Sequence, residues 1–239
     1  MEDPQDIAEE IFKSQAYLIQ GRIEYLYSSY SIFDHNFQEL KHLLEKFRGA
    51  EPKDPIWNIE RRHELGALGQ DALRLLHNFL ASAKTFADVT RVLIQARYQG
   101  HPFADQYRQE AVSRFSTSQV ARFVQDLRNY MLHYSLPITR AHLKIQMQPR
   151  PEGITLESSF ILDREALLEW DRWTTPARAF LTESSSDLDI LGFTRQYHSL
   201  VQSFHAWIQR RLSELHSTDL QWLQSMQEKL RAAQGGGQQ

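Results

Sequence analysis

The chain has 239 residues, 41% of them hydrophobic, with five Trp, nine Tyr and 13 Phe, which is enough apolar surface for a packed core and too much for a disordered chain. Its 27 basic and 30 acidic residues leave a net charge of −3, so no global basic field advertises nucleic acid and any such contact must be local. There is no Cys, which excludes disulfides, thiolate metal sites and Cys nucleophiles and is compatible with a reducing, cytoplasmic setting.

The N-terminus, MEDPQDIAEE, is acidic and has no apolar core, unlike a signal peptide. No run approaches the roughly 20 apolar residues of a membrane span, so no membrane partner is expected. Residues 4–48 read as helix, with Pro4 in the first turn and an apolar stripe running from Ile7 through Phe47. Gly21 and the Ser28–Ser31 region are the expected places for a break. Residues 49–55 read as a turn from their Gly and Pro content. Residues 56–98 read as a second long helix and 103–115 as a shorter one, with Gly100-His101-Pro102 between them. Within the second, His77-Asn78 is either a buried polar pair or a neighbour of the site discussed below.

Residues 117–138 have the clearest pattern. Val120, Phe123, Val124, Leu127, Tyr130, Met131 and Tyr134 fall on one helical stripe, Thr117 or Ser118 can cap the start, and Pro137 limits the end. The opposite face carries Arg122, Asp126, Asn129 and His133, spaced by three and four, with Arg128 beside them. A purely solvated face favours Lys and Glu, whereas this one offers Arg-Asn and His.

After Pro137, residues 141–148 and 154–162 alternate polar and apolar around a Pro- and Gly-containing turn at 149–153, which predicts a β-hairpin. Two strands alone are marginal, so the hairpin must pack on helices or a partner. Asp163 is an expected N-cap, Pro176 an interruption, and Trp170 and Trp173 are expected to dock on the core. Residues 184–187 read as loop and cap, residues 188–216 and 218–233 as helices, and 235–239 as a flexible tail.

Arg128-Asn129-Tyr130-Met131-Leu132-His133 resembles the R-x4–6-H motif of the HEPN superfamily (higher eukaryotes and prokaryotes nucleotide-binding domains), in which a polar residue often follows the Arg. The preceding long helices are also similar to that family's antiparallel bundle. Arg211 and His216 satisfy R-x4-H as well but read as ordinary helix surface. The resemblance implies a mainly α fold, an antiparallel helical bundle, HEPN-like, over residues 1–140. A small β-hairpin and a helical C-terminal region, 141–234, would pack on it, with a tail at 235–239.

It also implies a metal-independent endoribonuclease, the 2′-hydroxyl of RNA attacking the adjacent phosphorus. His133 would accept the proton and Arg128 would stabilise the phosphorane charge, while Asn129 orients the imidazole or contacts phosphate and Arg122 contacts RNA. One Arg and one His are too few for acid and base roles, so the family's habit of dimerising makes a homodimer the expected state. Toxin–antitoxin and phage-defence settings, with an antitoxin or other protein partner, are further implications of the resemblance. The alternative is a non-catalytic helical interaction or nucleotide-binding module. No cofactor is expected, and no metal. His198 and His205, like His35 and His42, stand seven apart, about 10 Å along a helix and too far for one ion, and read as surface or core-edge groups. Walker, dinucleotide and nucleophile-elbow motifs are absent.

Overall fold

The structure, a computed structural model, describes residues 3–49, 60, 62–147, 154–184 and 187–235. Its described residues form nine helices and one small antiparallel sheet. The helices are α1 (Pro4–Lys13), α2 (Gln15–Arg48), α3 (Arg62–Tyr98), α4 (Pro102–Phe115), α5 (Gln119–His133), α6 (Arg164–Leu168), α7 (Thr175–Glu183), α8 (Ile190–Leu215) and α9 (Ser217–Gly235). The strands are β1 (Thr139–Met147), β2 (Ile154–Leu162) and β3 (Leu188–Asp189), in that order across the sheet. No helix among the described residues is long and apolar enough to cross a membrane. The turns expected over 50–55 and 149–153, the first residues of the second helix at 56–61 apart from Glu60, and the tail beyond Gly235 lie outside the described residues.

The chain groups into two compact units, residues up to Tyr30 together with those from Ser203 onward, and Ser31–Gln202. In the first, Ile7, Ile11 and Ala16 pack with Leu223 and Met226 of α9. His205 is buried there, stacked on Tyr30 at 4.0 Å between ring centroids and 6° between planes. Desolvation lowers its pKa from the ordinary 6.5 to about 4.

The helix expected over 4–48 breaks at neither Gly21 nor Ser28–Ser31. It breaks at Ser14, whose backbone is extended and whose hydroxyl accepts from Tyr17 N at 3.1 Å. A capping hydroxyl ends one helix and starts the next, whereas Gly21 is carried in the α2 interior at a modest propensity cost.

In the second unit, Phe33 and Phe37 of α2, Phe79 and Phe86 of α3, and Tyr197 of α8 form an aromatic core. His198 lies within it, buried, stacked on Phe37 at 3.9 Å, with its Nε2 2.6 Å from Asp34 Oδ1. Both long-helix histidines, read as surface or core-edge groups, are therefore interior. Gly100, with φ of 80°, ends α3 in the left-handed region, and His101 then caps α4 by accepting from Phe103 N.

The expected hairpin is present, with Thr139 opposite Leu162 and Met147 opposite Ile154. It packs on helices, as two strands require: the Phe160 ring stacks on Phe47 at 4.2 Å, and Ser158 Oγ donates to Phe47 O at 2.6 Å. A third strand was not expected. Leu188 and Asp189 pair with Leu162 and Ile161, so α8 begins at Ile190, two residues later than the periodicity suggests. Asp189 then accepts from Gly192 N and from Arg48, serving both helix start and ion pair. Asp163 caps α6 as anticipated, accepting from Ala166 N at 3.1 Å. Pro176 starts α7 rather than interrupting it, since a proline in the first turn sacrifices no helical hydrogen bond.

Candidate functional site

Helix α5 is capped by Ser118, whose hydroxyl accepts from Ala121 N at 3.3 Å. Its buried stripe is Ala121, Phe123, Val124, Leu127, Tyr130 and Met131. Phe123 is fully enclosed by Trp173, Phe180 and Phe193, at centroid distances of 4.8–5.6 Å. Each such side chain contributes roughly 1.5–3 kcal/mol by leaving water. Trp170 and Trp173 dock on the same cluster, the Trp173 indole donating to Leu167 O at 2.7 Å. Val120 is only half-buried and Tyr134, past the helix end, is 58% exposed.

The residues expected on the polar face of α5 have four different fates. Asp126 is buried and is structural: its Oδ2 accepts from Thr174 N at 2.8 Å and from Thr174 Oγ1 at 2.6 Å. Thr174 is the N-cap residue of α7 and makes no side-chain cap bond of its own; Asp126, from a neighbouring helix, accepts from the amide and hydroxyl of that residue and so pins the start of α7. Arg122 is half-buried and donates to Gln125 Oε1 at 2.9 Å. Asn129 is half-buried, and its Oδ1 accepts a long 3.4 Å contact from Arg128 Nη1. His133, the last residue of α5, is exposed.

Arg128 faces a cavity of about 230 Å3 between α3 and α5. His77, Lys84, Thr85 and Asp88 of α3 line it with Arg128, and Leu80 and Met131 are among its apolar lining. On α3 these polar residues are spaced by seven, one and three, so they share one helical face. His77 thus does approach the Arg128 cleft. Asn78 is not among the lining residues.

Lys84 Nζ is 2.5 Å from Asp88 Oδ2, and Arg91 lies 3.5 Å from Asp88 Oδ1. The Lys84 hydrogen bond holds the Asp88 carboxyl below the ordinary carboxylate range, against the opposing pull of desolvation. Arg128 Nε is buried with no hydrogen-bond partner. Among the described lining residues it is the cation without a carboxylate partner.

His133 does not line this cavity. Five residues along an α-helix is about 140° of rotation, so Arg128 and His133 point away from one another around the single continuous helix α5. Arg211 and His216 differ from them in surroundings. Arg211 pairs with Glu214, and His216 Nδ1 is 3.7 Å from Asp219 with only 16% of its side chain exposed, so that match ends at a half-buried helix junction and not on open helix surface. Among the described residues no group of three or more His, Asp or Glu could hold a metal ion.

Lys84, Thr85 and Asp88 are the members of the cavity that sequence reasoning missed. Their common face with His77 was available from spacing, but nothing in the sequence indicated that this face of α3 meets Arg128. No family model, curated protein or solved structure matches the chain.

Proposed function

We propose that this chain is a metal-independent endoribonuclease of HEPN-like type, acting on RNA as a homodimer. The observation that carries the reading is the buried, unpartnered Nε of Arg128 at a cavity where Lys84, Thr85 and Asp88 are hydrogen-bonded. A planar guanidinium in that state suits two oxygens of a phosphodiester. In the reaction, the 2′-oxygen bonds to phosphorus and the bond to the 5′-oxygen breaks. The 2′-hydroxyl proton passes to His133, and the departing 5′-oxygen takes a proton from the imidazolium so formed or from water. Arg128 stabilises the charge that develops on the phosphorane oxygens. Asn129, which takes only a long contact from the guanidinium, is placed to orient the imidazole or contact phosphate, and Arg122, about one and two-thirds turns before Arg128, offers a further RNA contact.

The 140° between Arg128 and His133 favours a shared site. One copy would present Arg128, and His133 of a second copy would face it. The surface at the end of α5 suits such a pairing, because Leu132, Tyr134, Leu136 and Ile138, which flank His133, are all large, apolar and exposed. Roles as a toxin or phage-defence component, with an antitoxin or other protein partner, belong to the same reading.

A second reading has an observation of its own. Only Arg128 of the pair lines the cavity, which suits a nucleotide-binding or interaction module that does not cleave. Incubating the full chain with a single-stranded RNA oligonucleotide in EDTA separates the two. Cleavage that persists in EDTA supports the ribonuclease. Strict dependence on added divalent metal contradicts this mechanism, and intact RNA with retained binding favours the module.

A further inference from the structure

We propose that α3 makes the second half of this site, so that the α3–α5 cavity binds one nucleotide phosphate between Arg128 on one helix and Lys84 on the other, with His77 at the far end of the same cavity. The inference rests on the reading above for its choice of RNA as the source of that phosphate. The cavity stands on its own geometry.

Burying a guanidinium N–H without an acceptor is unfavourable, and native structures leave few such groups unsatisfied. Arg128 Nε is one, and the 3.4 Å contact from Nη1 to Asn129 does little to satisfy the rest of the fork. An anion entering the cavity supplies the missing acceptors. Lys84 stands on the facing wall, tied to Asp88. Arg91 approaches the other oxygen of that carboxylate, so Asp88 keeps a cationic partner when Lys84 turns toward a phosphate. Asp88 thereby holds the ammonium in reserve without leaving a bare carboxylate beside the ligand.

His77, two turns or about 10 Å from Lys84 along α3, offers its imidazole to the sugar and not to the same phosphate oxygens. With Lys84 and Asp88 balancing one another, Arg128 carries the positive charge of the described lining that no carboxylate offsets, which fits the single negative charge of a phosphodiester. Leu80 and Met131 lower the local dielectric and so strengthen the pairing. The volume, about 230 Å3, is below the range of roughly 300–1,000 Å3 typical of sites that enclose a drug-sized ligand. It therefore takes a phosphate with part of its sugar and leaves the base outside, which makes the site indifferent to sequence.

The test is calorimetric titration of the full chain, in phosphate-free buffer with EDTA. Three probes are used: inorganic phosphate, adenosine 5′-monophosphate, and a 2′-O-methyl RNA oligonucleotide that cannot be cut because it lacks the nucleophile. Wild type is expected to bind at least one of the three. Arg128→Gln should weaken that binding by about tenfold or more and Lys84→Gln by several-fold, as for lost charge-assisted hydrogen bonds. Arg211→Ala, on a different helix, should leave it unchanged. Tightest binding of the monophosphate identifies a terminal phosphomonoester as ligand, and tightest binding of the oligonucleotide an internal phosphodiester. Either result supports the site. No binding of any probe by folded wild type overturns it, and so does binding that neither substitution weakens, with circular dichroism confirming that both variants fold. Intact phosphate binding with no RNA cleavage overturns the ribonuclease reading and leaves this one. Cleavage without any phosphate binding at Arg128 and Lys84 does the reverse.

Discussion

Arg128 on α5 and Arg211 on α8 each stand five residues before a histidine, and the local sequence alone barely separates them. Their surroundings do. Arg211 is neutralised one turn on by Glu214, and His216 is tucked at a helix junction beside Asp219. Arg128 has no acidic residue within a turn on its exposed side. The nearest carboxylate on its own helix, Asp126, is turned inward and occupied by Thr174. A short motif of this kind therefore says little until the partners of its cation are known. Arg211 has its charge answered by Glu214, whereas Arg128 has a buried Nε with no partner and no carboxylate paired to its guanidinium, which is the state that a ligand would satisfy.

The contrast predicts a graded series. His133→Ala should lower RNA cleavage by about 10²–10⁴-fold, the usual worth of a general base, while the thermal melt moves little because the side chain is exposed. An early melt, like that of a core variant, would make His133 structural instead. Arg128→Lys should cost about 10²-fold in cleavage despite keeping the charge, since an ammonium cannot offer the bidentate fork. Normal cleavage by that variant would remove Arg128 from the mechanism.

Asp126→Ala should have the opposite signature. It leaves Thr174 N and Oγ1 without their acceptor at the start of α7, so a loss of about 1–3 kcal/mol in unfolding free energy is expected by denaturant titration. At the small end, Arg211→Ala removes one exposed ion pair and should stay within about 0.5 kcal/mol and at wild-type activity.

A pH series adds a check within the first unit. His205 is kept neutral by burial, with its pKa depressed from 6.5 to about 4. The unfolded chain takes up this proton first as pH falls, so stability should decline between pH 6.5 and 4, by about 3 kcal/mol, and level off below. His205→Phe should flatten that part of the profile. An unchanged slope in the variant would show that other groups set it.

Much of the fold was legible because its determinants are periodic or chemical. The α5 stripe from Phe123 to Met131, the alternation in 139–162 and the cap at Asp163 each follow from local rules. The misses are long-range. Ser14 outcompetes Gly21 as a breakpoint because its hydroxyl caps a helix start. Leu188 and Asp189 become a strand only because the edge of β2 is beside them. Asp126 looked like one more polar-face residue because its partner, Thr174, is 48 positions away. At the candidate site the sequence pointed to Arg128, His133 and, less firmly, His77. Lys84 and Asp88 were unreadable, since α3 carries many polar residues at helical spacing and only packing selects the ones that face α5.

The central claim is that Arg128 of one copy and His133 of another serve the same phosphate, and mixing two inactive variants tests it most directly. Arg128→Lys and His133→Ala should each be nearly inactive alone in EDTA. After mixing and re-equilibration, half the dimers pair one of each, and one of their two sites then holds both native residues, so roughly a quarter of wild-type cleavage should return. If the mixture stays as inactive as its components while sedimentation shows that mixed dimers have formed, Arg128 and His133 do not act across two copies.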